Sequence, residues 1–509
     1  MLATPHIPLH VSPNVPIQPS LDEIKVLFQQ GDLVPVYRTQ LADLETPVSV
    51  YMKLTQTGAV SFLLESVEGG EQVGRYSFLG VNPKGVITVQ NGIVTRTLHG
   101  ETSTRPLEEG EDPLAAVERE FGRVKPVALE GLPRFVGGAV GCFAYDVVRY
   151  FERVPDTGED QLQVPDVAFM LIDTLVIFDR VKHNLMILAN AHNQGDPEAA
   201  YTDALRRIDE IVEALKQPIQ VPEEPAISSN EQVRSNFTQE AFEENVVRAK
   251  EYIAAGDAFQ IVLSQRFSLK THTTPLAVYR ALRASNPSPY MFLLHFSEDF
   301  TLVGASPEML VRLEDGIATT RPIAGSRPRG RDLQHDRELE AELLADPKEL
   351  AEHVMLVDLG RNDLGRVSEY GTVKVTDMMY IERYSQIMHI VSNVQGKLKT
   401  GYNAFDLIRA TFPAGTLSGA PKVRAMEIID ELEGSRRGMY GGAVGYFSFD
   451  GSMDTCISIR AALMKNGMVY IQAGAGLVAD SVPATEYQES INKAKAVILA
   501  VRRAEIGLV

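Results

Sequence analysis

A chain of 509 residues with 49 basic and 67 acidic side chains carries a formal charge of −18, which disfavours a nucleic-acid backbone as partner. Its two cysteines, Cys142 and Cys456, cannot form a disulfide framework and point to a reducing, cytoplasmic compartment. No apolar run reaches the ~18 residues of a membrane span, so no membrane partner is expected, and the length suffices for more than one domain.

Residues 1–20 are proline-rich and lack a basic segment followed by an apolar one, so they read as a flexible extension and not a signal peptide. The first half, residues 21–216, opens the ordered part. Val48, Val50, Met52 and Leu54 alternate like a strand, and Ala59 to Ser66 reads as a second. Gly85 to Leu98 is a predicted hairpin turning at Asn91-Gly92. Tyr201 to Leu215 is an amphipathic helix, and residues 217–236, rich in proline, serine and acid, form a linker.

The second half, residues 237–509, begins with a helix from Thr238 to Gly256. Further on, Asp346 is placed to cap a helix, Pro347 suits its first position and Gly360 its end. Leu350, Val354 and Val357 would form its buried stripe, with Glu349 and Glu352 together on a neighbouring face, roughly 5–6 Å apart at Cβ. Phe412 to Lys422, which includes Thr416, is a glycine loop opening a helix and hence a natural anion site. Gly474-Ala475-Gly476-Leu477-Val478-Ala479 matches a dinucleotide pattern. No acidic residue follows at the expected ~20-residue spacing, however, and Asp480 and Pro483 interrupt the helix, so a small-anion cradle fits better. After Pro483, Tyr487, Ile491, Ala494, Ile498 and Val501 mark a buried helical side, and Glu486 and Glu489 lie just off it.

Two helices facing each other with these glutamate pairs would gather four carboxylates, hard oxygen ligands suited to Mg²⁺. Taken singly, each pair also reads as solvated helix glutamates, and Glu349 fits a capping-box position. The halves share a repeat: Phe135 to Asp146 is echoed by Met439 to Asp450, and Asp173-Thr174 and Asp454-Thr455 each precede a β-rich run. Glycine-rich strands of this kind mark close backbone packing. The expected fold is α+β, with two packed antiparallel β-sheets built from a duplicated sheet unit and helices outside.

Together, Gly304 to Glu308, Arg321 to Ser326, Glu349 to Arg366, Phe412 to Lys422 and Ala473 to Glu489 resemble the chorismate-utilising enzymes, in the same order. Within that family the likeness is closest to the branch that makes anthranilate. It covers Leu21 to the end and is strongest from Thr238 onward. The resemblance implies Mg²⁺ as cofactor, held by Glu352 and Glu489 with Glu349 and Glu486 in support. It implies chorismate as substrate, with Gly474, Ala475 and Gly476 donating to one carboxylate and Arg460 and Tyr440 gripping the other. Gly325 and Ser326 match a substrate-contacting Gly-Thr. Glu308 would protonate the departing C4 hydroxyl, His389 would assist pyruvate loss, and Lys422 would orient charge.

Two positions choose among relatives. Gln260 stands where water-activating members carry a lysine base, and Ala324 where aminodeoxychorismate synthases carry a nucleophilic lysine. Ammonia is then the implied nucleophile. Neither cysteine sits in a glycine-flanked nucleophile elbow, so the resemblance implies a separate glutamine amidotransferase subunit. Leu64-Glu65-Ser66 and Asn286 to Met291 resemble the family's tryptophan-binding segments. Glu65 would meet the ammonium, Ser66 would orient the ligand, Pro289, Tyr290 and Met291 would contact the indole, and Val444 and Tyr446 would form a wall. The alternatives are an aminodeoxychorismate synthase and a non-catalytic amino-acid sensor; the second is opposed by the presence of Glu308 and all four helix glutamates.

Overall fold

The computed structural model describes residues 17–55, 59–67, 74–220, 232–384 and 387–507. In the first half the strands are β1 (Leu33–Leu41), β2 (Ser61–Glu65), β3 (Tyr76–Val81), β4 (Gly85–Gln90) and β5 (Ile93–Leu98). They continue as β6 (Glu101–Pro106), β7 (Gly138–Phe143), β8 (Val167–Ile172), β9 (Thr174–Asp179) and β10 (Asn184–His192). The second half begins with β11 (Arg234–Ser235), β12 (Gln260–Lys270), β13 (Tyr290–Ser297), β14 (Phe300–Ser306), β15 (Met309–Glu314), β16 (Ile317–Thr320) and β17 (Ile323–Pro328). It ends with β18 (Lys374–Arg383), β19 (Ile387–Lys397), β20 (Gly419–Ala420), β21 (Ala443–Ser448), β22 (Met453–Ile457), β23 (Ala461–Lys465) and β24 (Met468–Leu477).

These strands form two antiparallel sheets to which both halves contribute. The first runs β1-β10-β9-β3-β2-β13-β14-β23-β24-β12-β11 with β20 beside β12. The second runs β17-β19-β16-β15-β22-β21-β7-β8-β4-β5-β6 with β18 beside β19. Phe62, Phe292, Val140, Met170 and Val444 fill the space between them. The outer face of the first sheet is covered by the helices Pro197–Leu215, Pro275–Ser285 and Pro483–Glu505, with Ile208, Leu282 and Val497 in that layer. Each such side chain, fully buried, contributes roughly 1.5–3 kcal/mol over leaving it exposed.

Strand pairing makes the duplication explicit. Leu63 lies opposite Leu293 at the centre of the first sheet, and Gly141 opposite Gly445 at the centre of the second. Moving outward, Leu293 faces Val303 as Leu63 faces Leu79, and Val303 faces Ala462 as Leu79 faces Val176. Then Ala462 faces Ile471 as Val176 faces Ile187, and Gly476 faces Val262 as His192 faces Leu33. In the second sheet Ala443 pairs with Ile457 as Ala139 pairs with Leu171. A pseudo-twofold axis therefore passes through both sheets. Glycine is required at its centre, because a Cβ on Gly141 or Gly445 would lie 2.1 Å from the Ala168 or Asp454 carbonyl oxygen. The two Asp-Thr pairs are not equivalent in this register: Ile459-Arg460 occupies the place of Asp173-Thr174, and Asp454 that of Ala168.

Several local expectations are corrected. Val48 to Leu54 lies in a helix, Pro47–Leu54, because Thr46 and Ser49 cap each other across its first turn and Pro47 occupies the first position. The helix capped by Asp346 runs through Gly360 to Val367, and Val354 is exposed while His353, Leu356 and Val357 are buried. Gly474 to Leu477, expected as a small-anion cradle, forms the end of β24. Ser20 caps the helix Leu21–Leu27 and Gln18 pairs with Tyr37, so the end of the expected extension is structured; residues 1–16 lie outside the described residues. Likewise residues 221–231 of the expected linker lie outside them, while Arg234 and Ser235 pair with Ser268 and Phe267. Among the described residues no helix is long and apolar enough to cross a membrane.

Candidate active site

The polar residues singled out in the second half converge where strands cross from one sheet to the other. Glu308 lies in the β14–β15 crossing and Arg460 in the β22–β23 crossing. Burial lifts the Glu308 carboxyl to about 7, partly opposed by the hydrogen bond from the Thr416 hydroxyl to its Oε1 at 2.9 Å and by the Lys493 charge. At pH 7 about half of such carboxyls carry a proton.

Arg460 holds a left-handed backbone, φ +51°, and its guanidinium makes no hydrogen bond or ion pair among the described residues. Burial pushes its pKa down, with the Tyr440 phenol beside it opposing the shift. A cation kept from water without a partner is costly, so the arrangement suits an incoming anion. Tyr440 is fixed from below by Arg437, a fully buried guanidinium bonded to Glu433 and to the Leu417 and Val262 carbonyls.

His389 on β19 donates from Nδ1 to the Gly325 carbonyl at 3.0 Å, which leaves Nε2 as the free ring nitrogen. Burial lowers its pKa, the Gly325 bond opposes this and Arg460 adds to it, so the ring is neutral at pH 7. Gly325 sits at φ +75° on a bulge of β17, where a Cβ would lie 3.1 Å from Glu349 Oε2. Ser326, next to it, pairs with His389.

The two glutamate pairs also come to this region, each on the first turns of its helix. Glu352 Oε1 accepts from Gln260 Nε2 at 3.1 Å, and Glu489 Oε1 lies 2.6 Å from Lys493 Nζ. Lys493 donates in addition to the Gly474 carbonyl at 3.1 Å. Burial raises Glu349 and Glu486; the Glu352 and Glu489 charges add to this, and Lys348 on the first helix lowers Glu486 on the second. Among the described residues no three acidic, histidine or cysteine side chains lie close enough to hold a metal as they stand. The donor set nevertheless fits a hard divalent ion: Glu352 raises Glu349 and Glu489 raises Glu486, and Lys493, with Arg327 donating to Glu349 Oε1 at 3.3 Å, supplies charge that a cation would supply.

β24 pairs with β12 throughout but with β23 only over Met468 to Ile471, so the backbone of Gly474, Ala475 and Gly476 has no strand partner on that side. Among the described residues, the N–H groups that point to that side make no strand hydrogen bond. Lys422 is not free for that work: its ammonium lies 2.8 Å from Asp363 Oδ2 and donates to the Thr411 carbonyl, tying the glycine loop to the long helix. Lys493, Arg327 and Arg437 were not singled out from sequence. Only Lys493, four residues after Glu489, carried a spacing that could have pointed to it.

A second cavity, of about 580 Å³, lies between the central strands of the two sheets. Glu65, Ser66, Pro289, Tyr290, Met291, Val444 and Tyr446 all line it, and Tyr76, Phe78, Arg312 and Asp454 are among the other residues of its wall. The Glu65 carboxylate, expected to meet an ammonium, is already bound by Arg180, Arg283 and the Tyr279 hydroxyl. Asp454, which accepts from Tyr290 at 3.1 Å and Arg312 at 2.9 Å, is the further carboxylate on the cavity wall.

Comparison with known proteins bears on the family and the fold. A family model described as chorismate binding enzyme matches residues 40–499. Anthranilate synthase component 1 of Acetivibrio thermocellus is 48% identical over 493 residues, covering 96% of this chain and 99% of that protein. The protein of the same name from Pseudomonas aeruginosa is 50% identical over 480 residues, covering 93% and 96%. The crystal structure of anthranilate synthase component I from Streptococcus pneumoniae superposes with a TM-score of 0.75 at 38% identity, over 90% of this chain and 98% of that one. The menaquinone-specific isochorismate synthase MenF of Escherichia coli shares the fold, with a TM-score of 0.69 at 18% identity over 96% and 99%.

Proposed function

This chain belongs to the chorismate-binding enzymes, and from that premise we propose that it converts chorismate and ammonia to anthranilate and pyruvate. The observation that carries the reading is Arg460, without a hydrogen bond or ion pair among the described residues, near the neutral His389 and on a crossing between the sheets like the one that carries the Glu308 carboxyl lifted to about 7. Arg460 and Tyr440 grip the enolpyruvyl carboxylate of chorismate, and the backbone of Gly474 to Gly476 receives the ring carboxylate. Glu352 and Glu489 would hold Mg²⁺ with Glu349 and Glu486 behind them; bound there, the ion neutralises and orients a carboxylate.

Ammonia forms a bond to C2 of the ring, the ring double bonds shift, and the C4 hydroxyl departs as water with the Glu308 proton. Thr416, bonded to Glu308, aims that carboxyl. Loss of the C2 proton and cleavage of the enolpyruvyl C–O bond then give anthranilate and pyruvate, assisted by His389. Gln260 offers no base to activate water and Ala324 no nucleophile, so neither isochorismate nor 4-amino-4-deoxychorismate is the product.

Ammonia is delivered from glutamine by a separate amidotransferase subunit, in keeping with the component 1 designation of the relatives. The cavity between the central strands takes tryptophan as a feedback inhibitor, supported by its aromatic wall and by the pairing of Glu65 with Met291 across the two halves. A ligand bound there favours one arrangement of the sheets and so opposes chorismate. The test is product analysis: the purified chain, given chorismate, Mg²⁺ and ammonium, should release anthranilate and pyruvate in equal amounts. Accumulation of 4-amino-4-deoxychorismate, or of isochorismate, would overturn the assignment.

A further inference from the structure

The pseudo-twofold axis gives the active cleft a twin in the first half. Ser306-Pro307-Glu308 leaves β14 as Asn82-Pro83-Lys84 leaves β3, so Lys84 takes the place of Glu308. By the same pairings Thr174 takes the place of Arg460, His192 that of Gly476 and Arg96 that of Thr320. The twin is not filled in. A cavity of about 300 Å³ stands there, at the joint between the two sheets, and Lys84, Arg96, Arg123 and His192 line it.

Of the three acids on its wall, Asp32 accepts the Lys125 backbone N–H, and the other two are held by cations. Asp173 Oδ2 lies 3.0 Å from Lys84 Nζ and 2.9 Å from His192 Nε2, and these partners outweigh burial to keep the carboxyl below its ordinary range. Glu120 is bound through both oxygens by Arg96, at 2.9 and 3.1 Å, and again by Arg123. Donors remain: Arg96 uses two of its five N–H groups on Glu120, Lys84 spends one of its three on Asp173 and lies 3.4 Å from His192 Nε2, and Arg123 reaches Glu120 through Nη1 alone. The cleft thus carries three carboxylates against three cations, and the N–H groups left on Lys84, Arg96 and Arg123 outnumber the carboxylate oxygens left without a hydrogen bond. Among the described residues there is neither a carboxyl at the Glu308 position nor a counterpart of the Glu349 and Glu352 helix.

We propose that the twin cleft binds a small oxyanion, a carboxylate or a phosphate, without transforming it. Lys84, Arg96 and Arg123 supply the charge-assisted hydrogen bonds. Because the chain contains no tryptophan and Phe449 lines the cleft, Phe449→Trp installs a single tryptophan at the site, excited apart from the chain's 17 tyrosines. The full chain carrying it is titrated with malonate and with inorganic phosphate against sodium chloride at matched ionic strength. A saturable fluorescence change is expected for at least one of the two, and the stronger identifies the anion's chemistry. Lys84→Met and Arg123→Gln should each weaken it on the order of tenfold.

The signal should persist when Arg460→Gln is added, since the other cleft is then disabled. Absence of saturation, an unchanged affinity in Lys84→Met, or loss of the signal with Arg460→Gln would each overturn the proposal. Soaking wild-type crystals in selenate provides a measurement free of substitutions: an anomalous peak within hydrogen-bond distance of Lys84 Nζ is expected, and a vacant cleft at saturating selenate would contradict it. None of these readings depends on turnover, so they stand or fall apart from the proposed chemistry.

Discussion

The two clefts related by the pseudo-twofold axis share more than strands. In the second half Lys493 pairs with Glu489 one turn back and donates to the Gly474 carbonyl; in the first half Arg207 pairs with Asp203 one turn back and donates to the Asn190 carbonyl. Asn190 and Gly474 are equivalent in the sheets, and both helices begin with a proline at the first position. The difference lies in what has been replaced and what has been added. Glu308 and Arg460 face the twin's Lys84 and Thr174. Between β16 and β19 the second half carries an insertion with β17 and the helix Pro347–Val367, where the first half has only the tight turn between β5 and β6. Gly325, Ser326, Glu349 and Glu352 all lie on that insertion. Duplication therefore supplies a rigid frame, and the proposed chemistry draws on two side-chain exchanges and one inserted layer.

The largest effect that separates the clefts should come from the glutamates. Glu489→Gln, or Glu352→Gln, should bring turnover below detection while leaving the circular dichroism spectrum unchanged; retained Mg²⁺-dependent activity would break the comparison. Glu308→Gln should lower kcat by about 10²–10⁴-fold. In the wild type the protonated form acts, so the rate should fall as pH rises through about 7. The same carboxyl, raised above its ordinary value of 4.5, stabilises the folded chain in acid and loses that contribution as pH rises through about 7. A series of Tm measurements should show Glu308→Gln flattening that fall.

Arg460→Gln should raise the KM for chorismate about 10- to 100-fold, the worth of a charge-assisted hydrogen bond. Ser66→Phe should leave uninhibited turnover near the wild-type rate and abolish tryptophan inhibition; titrating tryptophan against both proteins checks it, and equal inhibition would place the inhibitor elsewhere. Smallest of all is the control on the first half. Asp203, the twin of Glu489, is half exposed, so Asp203→Asn should leave turnover unchanged and cost only about 0.3–0.5 kcal/mol by chemical denaturation.

The sheets and their duplication were readable because glycine-rich strands with the same residue order stand in both halves. What misled was local. Val48 to Leu54 alternates as a strand would, yet Thr46, Pro47 and Ser49 form a capped helical start that outweighs alternation over so short a run. Gly360 sits inside its helix because it packs against Thr320 and Pro322, a tertiary contact that spacing cannot reveal. The glutamate pairs were visible as spacing, but their neighbours Gln260 and Lys493 are brought to them by the sheet and the helix together. Glu65 was legible as a residue of the inner cavity; that Arg180 and Arg283 already engage its carboxylate was not, since they come from distant strands and helices. The twin cleft was invisible in sequence, because equivalence of Lys84 with Glu308 exists only in the strand register.

The central claim, that chorismate chemistry belongs to the second-half cleft alone, is tested most directly by a crystal structure of Glu308→Gln with chorismate and Mg²⁺. Density for chorismate is predicted beside His389, with one carboxylate on Arg460 and the other at the Gly474–Gly476 backbone. Chorismate found instead in the cleft of Lys84, or in the cavity of Ser66 and Tyr290, would contradict it.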